Sequence, residues 1–129
     1  MGLDMYLEKH RRAGGKPADS FIEDVGYWRK ANAIHGWFVE HIQDGKDDCN
    51  YHRPVTQEDL RNLLDLCKRV MADHRKASKL LPATRGFFFG GYDYDECYFH
   101  QITETAALCQ RLLSDFDFEN YALYYLSSW

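Results

Sequence analysis

Two hydrophobic periods divide this chain, and they constrain its fold more than any other feature. At the start, Leu3, Met5 and Leu7 alternate with Asp4, Tyr6 and Glu8. A period of two places alternate side chains on opposite faces, so residues 3–8 read as a half-buried strand. Further in, apolar residues recur at helical spacing. Tyr27, Ala31, Ile34, Phe38 and His41/Ile42 form one stripe, which predicts a helix over Asp24–Gln43, stopped by Asp44-Gly45.

A second helix is announced by Thr56-Gln57-Glu58-Asp59, a variant of the capping box with Thr56 as N-cap. Its stripe is Leu60, Leu63, Leu64, Cys67, Val70 and Met71, and it runs to about Lys76. Gly86-Phe87-Phe88-Phe89-Gly90-Gly91 is an apolar run fenced by glycines and reads as a buried strand ending in a turn. Asp93-Tyr94-Asp95-Glu96 has N-cap spacing and opens a third helix to about Ser114, with Tyr98, Ile102, Ala106, Cys109 and Leu113 inward. Tyr121–Leu126 alternates weakly and closes the chain as a strand.

The predicted order is β-α-α-β-α-β. It defines an α+β fold in which three helices pack on a small, mainly antiparallel sheet. The 129 residues hold one domain, 1–129, with no repeat, linker or low-complexity tract.

Charge and composition narrow the function. Sixteen Lys+Arg against twenty Asp+Glu leave a net charge of −4, which argues against binding duplex DNA. No apolar run approaches membrane-spanning length. The start lacks the basic and apolar character of an export signal, and Tyr6 stands where a myristoylation motif needs Ser or Thr. Four scattered cysteines without a CxxC point to free thiols in a reducing cytoplasm. Aromatics reach 16%, with nine Tyr, eight Phe and three Trp, and part of that surplus is expected at a binding surface.

On the predicted first helix, Trp28, Asn32 and His35 are spaced by four and three and share a face beside the inward stripe. Arg29 and Lys30 add fixed positive charge, and Glu40 flanks the row. The set supplies a stacking plate, donors, acceptors and cations for a ligand. Gly36 costs that helix about 1 kcal/mol relative to Ala, which close approach of another segment or a ligand would explain. The same residues also fit a structural role, with Trp28 at the core edge and Asn32 and His35 serving loop backbone groups.

Two further segments carry polar groups at loop positions. Asp47, Asp48, Cys49 and His52 lack the paired spacing of a zinc site or the layout of an EF-hand, so no metal site is expected. Gly90-Gly91 followed by Tyr92, Tyr94 and Asp95 offers backbone N–H groups and phenols as a rim, without a nucleotide-loop motif. No GxSxG, HExxH or deaminase motif occurs, and no cofactor is expected. A basic stretch, Lys9-His10-Arg11-Arg12, leads into the glycine-containing loop Gly14–Pro17.

In these pieces the chain resembles small proteins encoded by bacteriophages and prophages. They are Met1–Leu7, Tyr27-Trp28-Arg29-Lys30-Ala31-Asn32-Ala33-Ile34-His35-Gly36-Trp37-Phe38-Val39, Gln43–Cys49, Gly86-Phe87-Phe88-Phe89-Gly90 and the closing Ser127-Ser128-Trp129. Cys97 departs from the pattern, standing where an aromatic is expected. The resemblance implies an accessory protein of the host cytoplasm that acts by binding and counters host defence. The expected ligand is a small phosphorylated or nucleotide-like molecule. Trp28 and Tyr94 would stack on it, Arg29 and Lys30 would meet its charge, and Asn32, His35 and Asp95 would complete the site. Two rivals are a protein–protein inhibitor of a host effector, acting through Asp93–Glu96 and Tyr121–Tyr125, and a small hydrolase with His35 as base, paired with Asp47 or Asp95.

Overall fold

A computed structural model describes residues 2–12, 23–86 and 90–129. Strand β1 spans Asp4–Arg11 and β2 spans Glu23–Arg29. Helix α1 covers Asn32–His41 and α2 covers Gln57–Ala72. A 3-10 turn at His74–Lys76 leads into the short α3, Ala77–Leu80. Helix α4, Glu96–Asp115, and strand β3, Tyr121–Ser128, complete the order. The fold is α+β, with a three-stranded sheet ordered β2-β1-β3 and antiparallel at both junctions.

The alternation at the start holds: Leu3, Met5 and Leu7 lie inside, while Tyr6 and Glu8 face outward. The capping box holds too, since Thr56 accepts from Asp59 N–H and the Asp59 carboxylate accepts from Thr56 N–H. Helix α4 begins one residue after Asp95, whose carboxylate accepts from Tyr98 N–H at 3.1 Å.

The sheet's third strand differs from the expectation. The helix predicted over Asp24–Gln43 is split: its first part is β2, and α1 begins only at Asn32. Val25, Tyr27 and Trp28 are better strand formers than helix formers, and Gly26 weakens a helix. Pairing with β1 completes the ladder of a strand that otherwise has only β3 beside it. Lys30 makes the break at φ +55°, and Ala31, an apolar N-cap without a side-chain bond, hides the true start of α1. The expected strand at Gly86–Gly91 is not in the sheet at its described positions; Phe87–Phe89 and the loop Gly14–Pro17 lie outside the described residues.

The core lies between the inner sheet face and the helices. Phe38 of α1 stacks on Tyr125 of β3, with ring centroids 4.0 Å apart and planes within 4°. Leu60, Leu63, Cys67 and Val70 of α2 and Ile102 and Cys109 of α4 fill the remainder. Each such aliphatic side chain contributes roughly 1.5–3 kcal/mol on burial. Burial pushes the Cys109 thiol up to about 12, so it packs as a small hydrophobe. All four cysteines are free thiols. No helix among the described residues is long and apolar enough to cross a membrane.

Candidate functional site

The row Trp28–Asn32–His35 is not a face of one helix. Trp28 sits in β2, and the three side chains point to different parts of the molecule. Trp28 is 6% exposed; its indole N–H donates to Thr105 Oγ1 on α4 at 2.8 Å. Thr105 in turn donates to Gln101 O at 2.7 Å. Asn32 ties down the segment that precedes α4: its Nδ2 donates to Gly91 O at 2.8 Å, and its Oδ1 accepts from Thr84 N–H at 2.9 Å. Tyr94 holds the same segment, its hydroxyl accepting from Ala83 N–H at 3.1 Å.

The other expected contacts are also structural. Arg29 donates to Asp4 Oδ1 at 3.2 Å on the outer sheet face. Lys30 lies against Gly90, where an added Cβ would stand 3.1 Å from Lys30 Cβ. Gly90 takes φ +90°, so the glycine is required there twice over. Asp95 is spent on the α4 cap. Among the described residues, Trp28, Asn32, His35, Arg29, Lys30, Tyr94 and Asp95 thus make their contacts with different parts of the molecule.

His35 heads a buried chain of polar groups. Its Nδ1 lies 2.6 Å from Tyr125 Oη and its Nε2 lies 2.9 Å from Asp47 Oδ1, which also accepts from Trp129 Nε1–H at 3.2 Å. The network assigns the proton to Nε2, donated to Asp47, with the Tyr125 hydroxyl donating to Nδ1. Desolvation lowers the His35 pKa against the opposing pull of Asp47, and burial holds the Tyr125 phenol well above 10. The sequence pairing of His35 with Asp47 is present, but the imidazole is 0% exposed with both nitrogens engaged. In this arrangement the imidazole acts as a buried joint between α1, Asp47 and β3. Tyr125, equally buried, is withdrawn from the proposed acidic-aromatic contact surface, whereas Tyr121 and Tyr124 are only partly buried.

A cavity of about 850 Å³ opens elsewhere, where the end of β1 meets the start of β3. Its walls include His10, Arg11, Arg12, Tyr51, Glu119 and Tyr124. The volume is within the usual range of small-molecule sites. The His10 ring meets Tyr124 edge-on at 4.8 Å and Tyr51 edge-on at 5.2 Å. His10 Nε2 lies 3.3 Å from Glu8 Oε1, and the Tyr51 hydroxyl donates to the same oxygen. Burial, then that bond to Glu8, pushes the Tyr51 phenol up to about 12. Arg12 is fixed by two bonds, Nε–H to Phe118 O at 2.8 Å and backbone N–H to Asn120 O at 3.0 Å.

Sequence reasoning missed this site. Its visible signal was the run Lys9-His10-Arg11-Arg12 in a net-acidic chain, which reads only as the lead into a loop. The partner rings are distant in sequence: Tyr124 is joined to the run by the β1–β3 ladder, and Tyr51 by its hydroxyl bond to Glu8 and its ring contact with His10. No family model, curated protein or solved structure matches this chain.

Proposed function

We propose that this protein acts by binding a small phosphorylated, nucleotide-like ligand in the cavity at the β1–β3 end. The observation that carries the reading is the conjunction of two guanidinium groups, Arg11 and Arg12, with the rings of His10, Tyr51 and Tyr124 around one concavity. Guanidinium forks match phosphate oxygens, and phenol and imidazole rings offer contact to a flat base. Arg12 is positioned by Phe118 and Asn120 before any ligand arrives, which reduces the ordering cost of binding. Glu119 on the rim discriminates against ligands whose charge extends beyond the two arginines. The resemblance to small phage proteins makes countering host defence the setting for such binding.

Isothermal titration calorimetry with mononucleotides, dinucleotides and cyclic nucleotides tests the reading. Saturable binding that Arg11→Ala weakens supports it, and a ligand at a hundred times its Kd stabilises the fold by about 2.7 kcal/mol. Arg11 is exposed at a strand end, so its loss leaves the core intact. Failure of every nucleotide to bind, or binding indifferent to Arg11→Ala, overturns it.

A further inference from the structure

We infer that the groove between β2 and α4 is a docking site for an extended peptide bearing basic residues, which adds to the sheet as a fourth strand. Among the described residues the order is β2-β1-β3, with β2 at an edge. Lys30 N–H donates to Leu3 O at 2.7 Å, making Leu3–Lys30 a hydrogen-bonded pair. Such pairs alternate along an antiparallel ladder, so Tyr27, which pairs with Tyr6, turns its N–H and C=O away from β1. Val25 follows the same sense: its carbonyl accepts from Arg111 Nη2 of α4 at 3.2 Å. An exposed row of this kind is the template that peptides use in strand addition.

The edge does not face open solvent alone. Two adjoining hollows of about 490 and 370 Å³ lie between β2 and α4 and share Arg111 as a wall. Leu108 lines the first, while Val25, Leu112 and Phe116 line the second, giving apolar seats for alternate side chains of an added strand. The register slips between Leu7 and Glu8, leaving Val25 as the extra residue of a bulge. The bulge and the Arg111 bond close the upstream end to regular pairing, so strand addition centres on Tyr27.

Charge selects the occupant. Glu23, Asp24, Glu104 and Asp115 border the two hollows, against the single guanidinium of Arg111. Glu23 reaches Lys9 at 3.9 Å and Glu104 reaches His100 at 3.0 Å, exposed pairs that leave the rim acidic in character. A strand alternating apolar and Lys/Arg side chains seats its apolar residues in the hollows and sets its cations against these carboxylates. This site is separate from the cavity at the β1–β3 end and does not depend on it.

Fluorescence anisotropy with the full chain tests the proposal, using labelled peptides about seven residues long, the usual strand length. One alternates Lys and Val, and one alternates Glu and Val. Saturable binding of the Lys-Val peptide alone is expected. Tyr27→Pro removes the outward N–H without touching the β1 ladder and should weaken binding about tenfold, whereas Tyr27→Val, which keeps it, should not. Glu104→Lys with Asp115→Lys should also weaken it about tenfold. Should Tyr27→Pro fail to fold, slowed hydrogen exchange of the Tyr27 amide on adding peptide to the wild type gives the same answer. No saturable binding, equal binding of the Glu-Val peptide, or a β2-to-β2 dimer in sedimentation that the peptide does not displace overturns the proposal.

Discussion

The Tyr125 hydroxyl donates to His35 Nδ1 across 2.6 Å, joining β3 to α1 through a fully buried imidazole whose other nitrogen is held by Asp47. This pair makes stability depend on pH. Desolvation lowers the His35 pKa below its ordinary 6.5 in the folded state. Between that lowered value and 6.5 the unfolded chain binds more protons, so stability rises with pH through the window. It is fully present above about 6.5 and falls as the pH drops below it, at no more than about 1.4 kcal/mol per pH unit. Urea denaturation at stepped pH measures the slope, and His35→Gln should flatten it. An unchanged slope in that variant would assign the effect to other groups.

Removing the Tyr125 hydroxyl tests the same joint from the other side. Tyr125→Phe keeps the ring stacked on Phe38 but leaves His35 Nδ1 buried without its donor. An orphaned buried acceptor costs about 1–3 kcal/mol. Combined with His35→Leu the losses should fall short of additive, because the orphan is then gone. Additive losses in chemical denaturation would mean that the two side chains are not coupled.

Gly36 was legible in the sequence as a helix residue with a packing reason, and Thr84 supplies the reason. A Cβ at position 36 would lie 2.1 Å from Thr84 Oγ1 and 3.4 Å from Thr84 Cβ. Thr84 cannot retreat freely, since its N–H is held by Asn32. Helix propensity favours Gly36→Ala by about 1 kcal/mol, but overpacking of about 1–3 kcal/mol opposes and exceeds it. Thr84→Ala removes the close oxygen and should rescue most of the loss. Thermal melts of the two single variants and the double variant decide this; a stabilised Gly36→Ala would refute the close approach.

What the sequence revealed and what it hid follow from the range of the interactions concerned. Strand β1, helix α2 with its capping box, helix α4 and strand β3 were legible because their signals are local: alternation, an i to i+3 cap and a continuous stripe. Strand β2 was hidden because Tyr27, Ala31, Ile34 and Phe38 happen to keep helical spacing across the break at Lys30. Only the ladder with β1, a long-range interaction, overrides that pattern. The error carried into the site, since Trp28 and His35 share a face only if one helix spans both. The alternative that Asn32 serves loop backbone groups is what the structure contains. The basic run at Lys9–Arg12 was visible, but its aromatic partners Tyr51 and Tyr124 come to it only through the fold.

The cap of α2 is tied to the preceding loop, and the tie is testable. Arg53 donates two bonds to Asp59, from Nη1 at 2.7 Å and Nη2 at 3.0 Å, and a third to His41 O at 2.9 Å. Burial raises the Asp59 pKa, but Arg53 and the Thr56 donors outweigh it and leave the carboxyl lowered. Thr56→Ala should cost about 1 kcal/mol by removing one cap acceptor. Asp59→Asn should cost more, because it weakens the cap and the Arg53 bridge together, and its effect should shrink as the pH falls through the carboxylate range. Equal losses for the two variants at neutral pH would show that Arg53 contributes nothing.

Asn32 is the hinge pin of the segment before α4, and its loss should be felt locally. Its amide bridges Thr84 N–H and Gly91 O, holding both flanks of the stretch between them against α1. Asn32→Ala removes both bonds at once and leaves the partially buried Thr84 N–H without its acceptor. With net hydrogen-bond contributions of about 0.5–1.5 kcal/mol each, the global loss should be modest. Local opening is a different quantity, set by the few bonds that hold one segment. Hydrogen exchange at the Thr84 amide should therefore accelerate far more than exchange in the β1–β3 ladder, while Tyr94, bound to Ala83 N–H, keeps the neighbouring amide protected. Uniform acceleration across the ladder would mean instead that Asn32 supports the whole fold.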